Sequence, residues 1–199
     1  MPTTINKIFE NAGIKKINRI PWGNSFTDNN QGVYVVALNE EIITPDFDGV
    51  IIKSWIAKLP YFQIDNKIPT VELLKKRLME FWLPDEQILY IGKAPNRTNG
   101  KGISNRIAEY YRTDIGNKSP HSGGQWIKTL KNLATATVYY GHTNNPDNTE
   151  ITMLDFFMKN VSENTLNKLR DKNYPLPFAN LRYKARIDKN HGLAKQRLQ

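Results

Sequence analysis

An α+β fold is predicted for this chain, with a small, mainly antiparallel sheet flanked by helices. Two observations predict it. Three short runs, 32–38, 87–92 and 135–140, are rich in β-branched and aromatic residues. Between and after them, apolar residues recur at helical spacing. The coarse order is helix, strand, a long insertion, strand, two helices, strand, two helices.

Residues 3–12 read as a short helix, with Thr4 as N-cap and Gly13 as its stop. Residues 20–31 read as a polar loop anchored by Trp22. The first core strand, 32–38, follows. Residues 39–86 form an insertion: 47–52 reads as a strand and 54–59 as a helical turn. Residues 69–82 read as an amphipathic helix with Leu74, Leu78 and Phe81 on one stripe, ended by Pro84. The second strand, 87–92, leads into a Lys, Pro, Asn and Gly loop. Residues 102–111 read as a helix in which Ile103 and Ile107 face the core. Arg106 and Tyr110, also four apart, share another face. The strand 135–140 precedes two helices, 150–160 and 162–172. In the first of these, Met153, Leu154 and Phe157 form an apolar stripe that starts from Glu150.

Composition narrows the function classes. The 199 residues suit one domain, 1–199, carrying the insertion, and no internal repeat is visible. No apolar stretch is long enough for a membrane span. The N-terminus lacks a secretory pattern. The absence of Cys excludes disulfides and Cys-based zinc sites. These features fit a cytoplasmic protein. The three His stand far apart, which argues against a multi-His metal site. The net charge of +9 favours a polyanionic partner. Six of the 28 basic residues lie from Arg182 onward (Arg182, Lys184, Arg186, Lys189, Lys195 and Arg197), opposed only by Asp188. The segment 182–199 is therefore either a phosphate-contacting arm or a solvated tail.

Two tripeptides, Gly32-Val33-Tyr34 and Tyr90-Ile91-Gly92, sit in the first two strands. Downstream, in order, come Arg106 and Tyr110 on one helical face, then Glu150, then Asn180 in a Pro-rich segment, 175–181. This ordered set resembles the GIY-YIG nucleases, with Val33 in place of the first Ile. The resemblance covers about residues 30–181, and it departs from compact members in the insertion between the tyrosine motifs. Those members place both motifs on neighbouring strands of one hairpin.

The resemblance implies a three-stranded central sheet and hydrolysis of DNA phosphodiesters. It implies that Glu150 binds one divalent cation, Mg²⁺ or Mn²⁺ as substitute, and that Arg106 contacts the scissile phosphate. Tyr34 would orient or deprotonate the water, with Tyr90 in support. Tyr110 stands where many members have His, so which Tyr is the base stays open. Asn180 would hold the Glu150 helix or the site in place.

The residues alone allow plainer roles. Glu150 could complement the helix macrodipole from the first turn, and Arg106 could pair with Glu109. The tyrosines could be half-buried packing residues. A phenol is a poor base at neutral pH unless positive neighbours, here Arg106, Lys93 and the metal, lower its pKa. His121 is a second phosphate-facing or proton-transfer candidate. Lys93 and Lys101 are candidate phosphate contacts, with Arg182, Lys184 and Arg186 added from the basic segment. The insertion is a DNA-specificity element, or a buttress or dimer surface.

No second DNA-binding module is visible, so the chain most resembles the stand-alone restriction endonucleases of the family, acting on double-stranded DNA and often as homodimers. A repair or recombination nuclease, and a catalytically silent nucleic-acid-binding protein, are the alternatives.

Overall fold

The computed structural model describes residues 3–59, 61–96, 102–117, 123–184 and 186–195. Among them are α1 (Ile5–Asn11), β1 (Asn18–Pro21), β2 (Gly32–Ala37), α2 (Gly49–Ala57), β3 (Phe62–Ile64) and α3 (Val71–Met79). Then come β4 (Ile88–Ala94), α4 (Ile103–Arg112), α5 (Gly123–Ile127), β5 (Thr137–His142), α6 (Pro146–Asn160) and α7 (Glu163–Lys168). Three short strands close the chain: β6 (Arg182–Tyr183), β7 (Ile187–Asp188) and β8 (Leu193–Lys195).

The α+β expectation holds, with one correction. The central sheet has four strands, not three, in the order β1-β5-β2-β4, and every pairing is antiparallel. The added strand, β1, falls where no strand is expected and overlaps the start of the expected loop at residues 20–21. Its Pro21 pairs opposite Thr137 at the sheet edge, where a residue without an N–H is tolerated.

The insertion does not separate the two tyrosine strands. β2 pairs with β4, with Tyr34 opposite Gly92 and Val36 opposite Tyr90. β4 is the other edge, and the segment before Leu181 covers it. Ala179 N donates to Leu89 O, and the Asn180 side chain bonds both backbone groups of Ile91, at 2.9 and 2.7 Å. A potentially sticky edge is thereby closed.

Local signals explain most helices. Thr4 caps α1 by accepting from Lys7 N, and Thr70 caps α3 by accepting from Leu73 N. Leu74, Leu78 and Phe81 are buried as their spacing predicted.

Three further expectations are corrected. Residues 47–52 are not a strand: Asp48 accepts from Val50 N and Ile51 N and starts α2 at Gly49. The helix predicted to begin at Glu150 begins at Pro146, capped by Asn145, so Glu150 lies beyond the first turn and Asp147 occupies it. The last helix, capped by Ser162, stops at Lys168 rather than running to 172.

The basic segment is neither a free arm nor a solvated tail over its described length. β6 and β7 form a hairpin, and β8 pairs with β3 of the insertion. Lys189 is 3% exposed. Its ammonium donates to Pro177 O and Phe178 O, both at 2.9 Å, and lies 5.3 and 5.4 Å from the ring centres of Phe81 and Trp126. Cation–π attraction and two carbonyls replace its water. Arg77 of α3 is equally enclosed. Its guanidinium bonds Glu80, Asp65 and the carbonyl of His191, while Arg170 joins Asp65 and Glu80 from outside. The insertion and the C-terminal segment thus pack together and share one ion network.

Candidate active site

The sheet brings five of the sequence-predicted residues together from four elements: Tyr34 on β2, Tyr90 on β4, Arg106 and Tyr110 on α4, and Glu150 on α6. Antiparallel pairing puts Tyr34 beside Tyr90, with ring centres 5.8 Å apart. Tyr110 lies 5.2 Å beyond Tyr90, both pairs being tilted. Trp22 closes on Tyr110 edge-on at 5.5 Å.

The glycines of both motifs are steric requirements. A Cβ on Gly92 would stand 2.5 Å from Tyr90 Cε1 and 2.7 Å from Tyr34 Cζ. One on Gly32 would stand 2.2 Å from Gly141 O. The close ring packing and the strand spacing leave no room for side chains there.

Tyr34 is 1% exposed. Its hydroxyl makes no well-formed hydrogen bond among the described residues, although the Tyr90 hydroxyl is close enough to feel it. Arg106 pairs with Glu109 at 3.1 Å, yet its Nε is buried and without a partner among the described residues. An unpaired buried donor is costly and asks for an explanation.

The electrostatics correct one expectation. Positive neighbours do not bring the phenols toward neutral pH. Burial pushes Tyr34 and Tyr110 well above the ordinary value and Tyr90 to about 12. Glu150 raises Tyr90 further, and the pull of Arg106 and Lys93 does not offset the loss of water. In this state, with no metal bound, burial keeps the three tyrosines neutral.

Glu150 is largely buried, which raises its pKa against the hydrogen bond and charge of Lys93. Lys93 Nζ lies 2.8 Å from Glu150 Oε2 and 2.8 Å from Asp147 Oδ1. Burial lowers the Lys93 pKa, but these two carboxylates outweigh it and the net shift is upward. Lys93, expected as a phosphate contact, is therefore the counterion of the proposed metal ligand. Two hard carboxylate oxygens converging on one cation is a donor set that Mg²⁺ fits, since it uses one or two carboxylates and keeps waters. No group of three or more metal-type ligands occurs among the described residues.

Of the two supports expected of Asn180, the Glu150 helix or the rest of the site, its hydrogen bonds run to β4. Its two bonds straddle Ile91, between Tyr90 and Gly92. Arg182, Lys184 and Arg186 are not drawn to the tyrosines. Arg182 pairs with Asp188 at 2.7 Å, Lys184 lies over the Tyr183 ring and Arg186 is exposed. His121 and Lys101 lie outside the described residues.

Sequence reasoning missed two groups. Asp147 stands three residues before Glu150, which is legible only once the helix is known to start at Pro146. The His142–Asp28 pair, at 2.7 Å, joins residues far apart in the chain and left no local signal.

No family model, curated protein or solved structure matches this chain.

Proposed function

We propose that this protein is a metal-dependent endonuclease of the GIY-YIG kind, cutting double-stranded DNA in restriction or defence. The observation that supports it is the convergence of Tyr34, Tyr90, Tyr110, Arg106 and Glu150 from four elements, with Tyr34 Oη and Arg106 Nε buried and making no well-formed hydrogen bond among the described residues. The net charge of +9 suits the polyanionic substrate.

In this reading the Arg106 fork turns from Glu109 to the scissile phosphate and meets the charge that builds up there. Tyr34, kept neutral by burial, aims the attacking water. Tyr90 and Tyr110 hold its ring, and Gly92 leaves room for it. Glu150, with Asp147 beside it, would hold Mg²⁺ or Mn²⁺, which when bound supplies charge stabilisation at the leaving 3′ oxygen. Lys93, released from the carboxylates, is then free to face a phosphate. Asn180 keeps β4, and so Tyr90, in register.

A second reading, a DNA-binding protein without catalysis, draws on the Lys93 bridge that already satisfies both carboxylates. Supercoiled plasmid incubated with and without Mg²⁺ or Mn²⁺, using wild type and Glu150→Ala, separates them. Metal-dependent cutting lost in the variant supports the nuclease. Retention of DNA without cutting of plain or base-modified plasmid supports the binder.

A homodimer is part of the proposal. Ile43, Val50 and Ile68, 81, 78 and 85% exposed, all lie on the insertion, where a second copy would cover them.

A further inference from the structure

Beside the candidate active site, residues 23–29 and the outer face of α4 enclose a cleft of about 440 Å³. Asn24, Asn29, Asn105, Phe26, Tyr111 and Arg112 are among the residues that line it. The loop is held by its main chain. Asp28 O accepts from Ser104 N and Ser104 Oγ, and Asn30 O accepts from Ile103 N. Asp28 Oδ1 accepts from Asn30, its Oδ2 meets His142, and Phe26 packs on Tyr140 at 4.9 Å.

Asp28 and Asn30 thus do the turn-forming work that such residues commonly do. Asn24, Asn29 and Asn105 do none of it: their side-chain amides make no hydrogen bond among the described residues, although each lines the cleft. The result is a set of unused amides on a fixed loop and helix, with aromatic walls from Phe26 and Tyr111.

We infer that this cleft is a nucleobase-reading site, in which Asn105 and Asn29 hydrogen-bond the edge of a base near the phosphate gripped by Arg106. The inference rests on the DNA-substrate reading above. Amides pair bidentately with base edges, with adenine as their best partner. Asn105 precedes Arg106 on the same helix, so one element presents an amide to the base and a guanidinium to the backbone. Arg112, at the end of that helix, adds a phosphate contact that carries no sequence information. Recognition would then lie in this loop and α4 rather than in the insertion.

The test is selection of bound duplexes from a pool with a randomised central segment, in EDTA so that nothing is cut. Wild type, Asn29→Ala, Asn105→Ala and Arg112→Ala are compared. Wild type enriches a sequence. Each Asn variant keeps overall binding within a few-fold but loses preference at one position by roughly five- to a hundredfold. Arg112→Ala weakens binding to all sequences alike. Unchanged enrichment in both Asn variants, or no enrichment by wild type, overturns the inference. Selective binding by a chain that never cuts with metal refutes the nuclease reading and leaves this one standing.

Discussion

Two arginines, Arg77 and Arg106, sit in carboxylate-bearing clusters of this molecule and are treated in opposite ways. Arg77 is 4% exposed, and its guanidinium bonds Asp65, Glu80 and the His191 carbonyl; Arg170 closes the outside. Arg106 bonds Glu109 and leaves Nε buried without a partner among the described residues, near a Tyr34 hydroxyl in the same condition. The first cluster is complete and joins the insertion to the C-terminal strand. The second is incomplete, and a ligand bringing acceptors would complete it. Orphaned atoms alone do not separate the two, since Thr3 Oγ1, Tyr111 Oη and Asn132 Oδ1 are also buried without a well-formed hydrogen bond among the described residues; the contrast lies in an orphaned guanidinium nitrogen and phenol within one cluster. The criterion needs the neighbourhood as well. Glu86 Oε1 is also buried and unpaired, but burial raises that carboxyl to about 7, so protonation relieves it.

Replacing residues on either side of this contrast sharpens it. Glu150→Ala is expected to abolish cleavage while DNA retention in a gel-shift assay persists; unchanged cutting would remove Glu150 from the metal site. Arg106→Ala should lower kcat by roughly 10²–10³-fold, the usual cost of losing one charge-stabilising donor, with little change in Tm. Arg77→Ala should do the reverse. It should cost about 3 kcal/mol in urea unfolding, at the low end for breaking a buried pair because Asp65 is 42% exposed. Cutting per folded molecule should be preserved. If Arg106→Ala unfolds the chain and Arg77→Ala stops cutting, the contrast is wrong.

Gly92→Ala falls between the two classes. Its Cβ must displace the Tyr34 or Tyr90 ring, costing roughly 1–3 kcal/mol by overpacking and also slowing turnover. A variant with wild-type kcat would show that the ring positions are not used.

The smallest effect concerns Lys189. Burial lowers its pKa from 10.5 to about 7, against the pull of Asp171. Between these values the unfolded chain binds more protons than the folded one, so stability contributed by this group rises with pH from about 7 to 10.5. On acidification it is lost between 10.5 and about 7, below which both states carry the proton and this group adds no further change. Lys189→Met removes the titration, so its Tm should gain less than that of wild type over this window. Parallel Tm profiles would mean that the amine stays charged in its aromatic cage.

Much of the site was legible in the sequence, because its residues sit on strongly patterned elements. Tyr34 and Tyr90 lie in obvious strands, and Arg106 and Tyr110 share a helical face by their spacing. Glu150 heads an apolar stripe. What the sequence did not show was the context of the charges: Lys93 and Arg182, candidate phosphate contacts, each hold a carboxylate that folding delivers. Lys189 looked like part of a basic tail, and it is buried.

The amino-acid sequence by itself determined the strands β2, β4 and β5, the Thr4 cap of α1, the buried stripe of α3 and the order in which the candidate site residues occur. These depend on neighbours within a turn or a strand, so spacing and residue type suffice. Only the tertiary structure decided that β2 and β4 are partners across the insertion, and that an unpredicted strand, β1, widens the sheet. It also decided that the insertion and the C-terminal segment share one ion network, and that burial keeps the tyrosines neutral. Desolvation and long-range pairing depend on where distant segments meet, which no local pattern encodes.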